Sequence, residues 1–219
     1  MSKRFTTKEL TTLAMITAIA YVLVCSVRIP VVLFLKYEPK DVIITIGGFL
    51  MGPSAVLISS SVVALIEMVT ISDTGIIGCI MKFLSTCSYA CMASLVYKKN
   101  HTMKGAIVGL ASGTVFMTIV MLLWNYLITP LYMGVSREDV AGLLIPAFLP
   151  FNLLKAGLNS SMTLLLYKPL VTGLRKAGLL LPSSASSGGT GTKRPFVLIF
   201  AALLLVTCAL LVLVMQGVI

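Results

Sequence analysis

Run after run of this chain is apolar over close to the ~20 residues that an α-helix needs to cross a hydrocarbon core, and that repetition leaves few folds open. Inside a bilayer every backbone N–H and C=O must find a partner within the chain, so segments of this kind span as helices. Composition agrees: 58% of residues are hydrophobic and only 11% charged, with a mean hydropathy of +1.04, well outside the soluble range. The expectation is an all-α membrane protein, a six-helix bundle followed by one extra C-terminal transmembrane helix.

Taken in order, the runs cover residues 9–27, 42–51, 54–69, 76–97, 105–128, 143–171 and 196–215. The amino terminus carries Lys3, Arg4 and Lys8 like a signal peptide, but the apolar run continues past Val27 without a cleavage site, so a retained helix is expected. The second run is too short to cross ~30 Å unaided at ~1.5 Å per residue, so it must be tilted, extended or shielded by protein. Before it lies a connection, residues 31–41, containing Lys36, Tyr37, Glu38, Pro39, Lys40 and Asp41, whose mixed charge is expected in water. Ser54 stands ready to cap the third helix. A loop is expected over 129–140, with Pro146 and Pro150 shaping the start of the sixth helix. The expected division is a six-helix substrate-binding membrane domain over 1–176, a flexible Ser/Gly-rich linker over 177–194 and an added anchor helix over 195–219.

Charge placement sets the orientation. With the N-terminus in the cytoplasm, Lys98, Lys99, Lys104, Lys168, Arg175, Lys176, Lys193 and Arg194 join the N-terminal basic residues inside, and Glu38, Asp41, Asp73, Glu138 and Asp139 fall outside. The formal charge of +10 is therefore explained by membrane topology, and no nucleic acid partner is expected. Six helices plus one leave the C-terminus outside.

An ionisable group in a spanning helix costs ~2.5–3.5 kcal/mol on the mildest scale and marks function by default. Asn152, Lys155 and Asn159 share one helix face at i, i+3 and i+7. Glu67, Lys82 and Asn125 fall at the same outer depth as Asn152 and Lys155, so a polar pocket opening outward, roofed by residues 36–41, is expected. Asn159, two turns deeper, belongs to packing or to the pocket floor. A Glu67–Lys82 pair that merely offsets two buried charges is the competing reading. Asn side chains offer donors and acceptors together, which with a lysine suits an uncharged ligand rich in both. Ala14 and Ala18 form a small-x-x-x-small pair that marks a contact with another helix, in this chain or a partner.

The five cysteines form no C-x-x-C pair and lie in apolar runs, and the sole histidine, His101, sits in a basic loop, so neither a metal site nor nucleophilic catalysis is expected. No nucleotide-binding loop or carboxylate relay supplies an engine. A self-sufficient proton-coupled carrier using Glu67 and Lys82 is the alternative from another class.

Four segments together, LKYEPKDVIITIGGFLMGP, IEMVTISDTGIIGCIMKFLS, WNYLITPLYMG and LPFNLLKAGLNSSMTLLLYKPL, make the chain resemble the substrate-binding S components of energy-coupling factor vitamin transporters, specifically the riboflavin-binding kind. That resemblance implies no enzyme activity and no cofactor, with riboflavin as transported ligand and the bacterial cell membrane as location. It implies docking on a membrane T component driven by two cytoplasmic ATP-binding subunits. By the same resemblance, Asn125, Asn152 and Lys155 would hold the isoalloxazine ring. Tyr37, Glu38 and Asp41 would belong to a gating loop, Glu67, Thr70 and Thr74 would make ribityl or structural contacts, and Ala14 and Ala18 would meet the T component. An S component for another vitamin is the sibling alternative. The linker and last helix, 182–219, depart from the family pattern.

Overall fold

A computed structural model describes residues 6–33, 35–71, 75–176 and 193–215. Eight α-helices and one β-hairpin make up the described residues: α1 (Thr7–Ser26), β1 (Ile29–Val32), β2 (Leu35–Tyr37), α2 (Lys40–Met51), α3 (Pro53–Thr70), α4 (Gly75–Lys99), α5 (Met103–Met133), α6 (Arg137–Leu143), α7 (Leu149–Lys176) and α8 (Lys193–Met215). Counting α6 through α7 as one run, six helices among the described residues are long and apolar enough to cross a membrane, and α2 is the short seventh.

Local chemistry explains the ends. Thr6 and Glu9 form a capping box on α1, with the Glu9 N–H donating to Thr6 Oγ1 and the Thr6 N–H to the Glu9 carboxylate. Ser54 does not cap α3: the cap position is Gly52, with φ of 94°, and Pro53 takes the first turn, where its missing N–H costs nothing. The loop expected over 129–140 shrinks to residues 134–136. There α5 runs through Pro130 and stops at left-handed Gly134, and Ser136 caps α6 by accepting from the Asp139 N–H. Between α6 and α7 the chain makes one π-helical stretch, Leu144–Phe148, which contains Pro146 and is followed by Pro150, and neither proline can donate to the ordinary ladder.

The connection expected in water is the largest correction. Strands β1 and β2 form an antiparallel hairpin pairing Ile29 with Tyr37 and Val32 with Leu35. Strand alternation turns Leu35 and Tyr37 inward and Lys36 outward. Glu38, Lys40 and Asp41, which follow, are 5%, 3% and 1% exposed. The short run before the Gly-Pro turn is shielded by protein, since α2 is buried from Lys40 to Phe49. Its close fit depends on Gly48, whose carbonyl accepts from Ser94 Oγ at 2.7 Å and whose missing Cβ would stand 2.5 Å from a Val56 methyl.

Two cores result. One joins α1 to α5 and the middle of α7 around Ile16, Ile44, Val56, Tyr89 and Met117. The other joins the hairpin, α6, α7 and α8 around Leu35, Tyr37, Phe148, Leu158 and Cys208. The last helix, expected as an added anchor apart from any site, is thus one wall of the second core.

Helices α4 and α5 approach closely enough that a Cβ at Gly109 or Gly113 would lie 2.7 Å and 2.6 Å from the carbonyl oxygens of Ala93 and Tyr89. Backbone cannot yield as a side chain can. Gly109→Ala with Gly113→Ala is expected to destabilise the fold by ~1–3 kcal/mol per site, read as a lower unfolding temperature in detergent.

Candidate functional site

Four charges close a ring at the base of the hairpin. Lys40, in the first turn of α2, bridges Glu67 on α3 and Glu38, whose Oε2 is 3.0 Å from Lys40 Nζ. Lys82, on α4, lies 2.7 Å from both Glu38 Oε1 and Glu67 Oε2. Glu67 is fully buried, and the Lys82 side chain is 18% exposed. Two cations and two carboxylates cancel, which is what lets this many charges leave water together. Burial alone would push the Glu38 carboxyl up, but Lys40 and Lys82 overcome it and hold it down to about 2. The Arg28 guanidinium stands 3.9 Å from the same carboxylate and donates to the Ile71 carbonyl, tying the entry of the hairpin to the end of α3.

One residue further along α2, Asp41 gathers a second group. Its Oδ2 is 3.0 Å from Lys155 Nζ and accepts from Asn159 Nδ2 at 3.3 Å, while its Oδ1 accepts from Thr86 Oγ1 at 2.6 Å. Lys155 also donates to Ser85 Oγ at 2.9 Å. The Tyr37 hydroxyl donates to Asn159 Oδ1 at 3.1 Å, so the last residue of the hairpin is bonded to α7. Burial, then the Asp41 charge, raise the Tyr37 phenol, which keeps it a neutral donor.

The expected residues therefore fall into distinct places. Tyr37, Asp41, Lys155 and Asn159 come together, while Glu38 and Glu67 join the ionic ring. Asn125 is fully buried on α5, donating to the Met121 carbonyl at 2.8 Å and accepting from Thr129 Oγ1 at 3.0 Å. Asn152, 2% exposed on α7, donates to the Phe148 carbonyl at 2.7 Å, on the π-helical stretch. Near Asn125, a shallow cleft lies between Gly78 and Met81 on α4 and Trp124, Thr129 and Tyr132 on α5. Thr70 stands on the exterior, donating to the Ile66 carbonyl and accepting from the Tyr21 hydroxyl at 3.0 Å. Ala14 and Ala18 are exposed on α1. Thr74 lies outside the described residues.

Sequence reasoning missed Lys40 as the second cation of the ring and Ser85 and Thr86 as partners of the deeper group. The signal for Lys40 was present in the Glu38-Pro39-Lys40-Asp41 alternation, which demands compensation once burial is granted. Ser85 and Thr86 gave none, since hydroxyls are common in spanning helices.

Comparison with known proteins places these groups in a family context. Residues 8–167 match the family model described as ECF transporter, substrate-specific component. A riboflavin transporter RibU of Staphylococcus aureus is 31% identical over 179 residues, covering 77% of this chain and 93% of its own length. A riboflavin transporter RibU of Streptococcus thermophilus is 30% identical over 78% of this chain and 86% of its own. Among solved structures, one described as the S component of a bacterial ECF transporter, with its mechanism, superposes with a TM-score of 0.65 at 31% identity, covering 77% of this chain and 98% of that one.

Removing one member of the ring strands the others. Glu67→Gln or Lys82→Met alone is expected to cost ~3–5 kcal/mol of stability, and the double variant less than the sum of the two. Because Glu38 is held below its ordinary 4.5, its contribution is complete above that value and is lost as pH falls through about 2. Glu38→Gln is therefore expected to flatten the loss of unfolding temperature with acid, measured in detergent over that window.

Proposed function

Because the chain belongs to the family of ECF transporter substrate-specific components, we propose that it captures riboflavin from outside a bacterial cell and releases it inward when docked on a T component and two ATP-binding subunits. The observation that carries this reading is that the family match, residues 8–167, takes in every candidate side chain from Tyr37 to Asn159, and relatives named as riboflavin transporters match with it.

The donor set suits that ligand. A flavin presents carbonyls and ring nitrogens along one edge and a polyol on the other side. Lys155, aimed by Asp41 and Ser85, supplies a charge-assisted donor, and the amides of Asn125 and Asn152 supply donors and acceptors. Asn125, Asn152 and Asp41 are all closed off from solvent, so entry requires the hairpin carrying Tyr37 to move. Glu38, Glu67 and Thr70 then serve structure. The exposed Ala14 and Ala18 let the T component approach α1 closely. The N-terminus is cytoplasmic, and the C-terminus outside. A carrier driven by protons through Glu67 would have to break two close lysine contacts in each cycle, which disfavours that alternative.

Riboflavin fluorescence is expected to be quenched on titration with the purified protein. Asn152→Ala and Lys155→Ala should each weaken binding roughly tenfold to a hundredfold, the equivalent of ~1.5–3 kcal/mol. Unchanged affinity in both variants would remove the site, and binding of a different vitamin alone would remove the substrate. In proteoliposomes, uptake is expected to need the T component, both ATP-binding subunits and ATP; uptake that persists without them and collapses with the proton gradient would reinstate the carrier.

A further inference from the structure

Helix α8 lies beyond the residues that the family model matches, yet it is packed behind the part of the site that must move. Cys208 and Val212 are buried in the same cluster as Val31, Leu35 and Tyr37 of the hairpin, with Leu204 packed against it. Its approach to α7 is close: a Cβ at Gly157 would lie 2.9 Å from Cys208 Sγ, and Ala201 on α8 is fully buried. In a bilayer, apolar helices gain nothing by leaving lipid, so such contacts persist through dispersion and fit, which small residues at the crossing permit.

We propose that α8 is a built-in positioning element for the hairpin, holding Tyr37 on Asn159 and slowing the opening through which ligand leaves. Fluid acyl chains would otherwise flank β1 and reorganise freely as it moves. A tethered helix offers one fixed surface, and lifting the hairpin means parting β1 from α8 and opening the cluster that Val31, Leu35 and Tyr37 share with Cys208 and Val212. Tyr37 transmits the effect, because its ring sits in this cluster while its hydroxyl bonds the Asn159 amide that also holds Asp41. For its ligand readout the inference rests on the riboflavin reading; for its structural readout it does not.

The test uses the full chain in detergent with three variants. Leu204→Ala with Val212→Ala removes the α8 side of the contact, and Gly157→Leu wedges α8 away at Cys208. Leu203→Ala, on the outward face at 65% exposure, is the control. Without ligand, hydrogen exchange of the 29–37 amides is expected to quicken roughly fivefold in the first two variants and not in the control. Riboflavin dissociation should quicken in parallel, and association with it, because entry and exit share the same opening. Unchanged hairpin exchange in the double variant would overturn the inference, as would a quickening spread evenly over the whole bundle. Should the wild type fail to bind riboflavin, the ligand reading falls while the exchange comparison still decides the role of α8. Should Gly157→Leu fail to fold, the double variant decides alone.

Discussion

Four buried charges hold this structure to its shape. A lysine or a carboxylate alone in such surroundings costs several kcal/mol, and each of Lys40, Lys82, Glu38 and Glu67 is tolerable because the ring supplies two opposite charges to it. The ring is also topological. It takes one member from the end of the hairpin, one from α2, one from α3 and one from α4, so the hairpin cannot sit elsewhere without exposing unpaired charge to an apolar interior. A hydrophobic contact would slide; a neutral ring of four has one arrangement.

From that ring the order passes through adjacent residues to the group around Asp41. Successive side chains of a helix point ~100° apart, so Lys40 and Asp41 in the first turn of α2 face different neighbours. Lys40 turns to Glu67, and Asp41 turns to Lys155, Thr86 and Asn159. The start of α2 is therefore a joint between a rigid ionic base and a set of side chains that can exchange partners. Lys155 has two polar partners and 13% side-chain exposure, and in the proposed riboflavin site the ligand would replace Ser85 while Asp41 continues to hold the ammonium in place.

Much of this was legible in the sequence. Apolar run length gave the spanning helices, because hydrocarbon admits few alternatives, and the cost of Lys155 and Glu67 singled them out as residues needing an explanation. The Glu67–Lys82 pair was the competing reading of that same cost, against a ligand role for Glu67, and the two groups stand 2.7 Å apart. What escaped was the fate of residues 31–41. Their charge reads as solvent-exposed when each residue is weighed alone, and only the meeting of four segments shows that the charges cancel in the interior. Ser54 was misplaced because a proline preceded by a left-handed glycine starts a helix without a side-chain cap, and α8 was set apart because an apolar helix carries no mark of the partner it packs on.

The claim on which the rest turns is that Asp41 aims Lys155 at the ligand, and a double-mutant cycle on riboflavin affinity tests it most directly. Asp41→Asn, Lys155→Met and the double variant would be compared with wild type by fluorescence titration. The expected result is strong non-additivity, with a coupling of ~0.5–3 kcal/mol because the aspartate acts through the lysine. Losses that add to within ~0.3–0.5 kcal/mol would contradict it and leave the two residues acting independently.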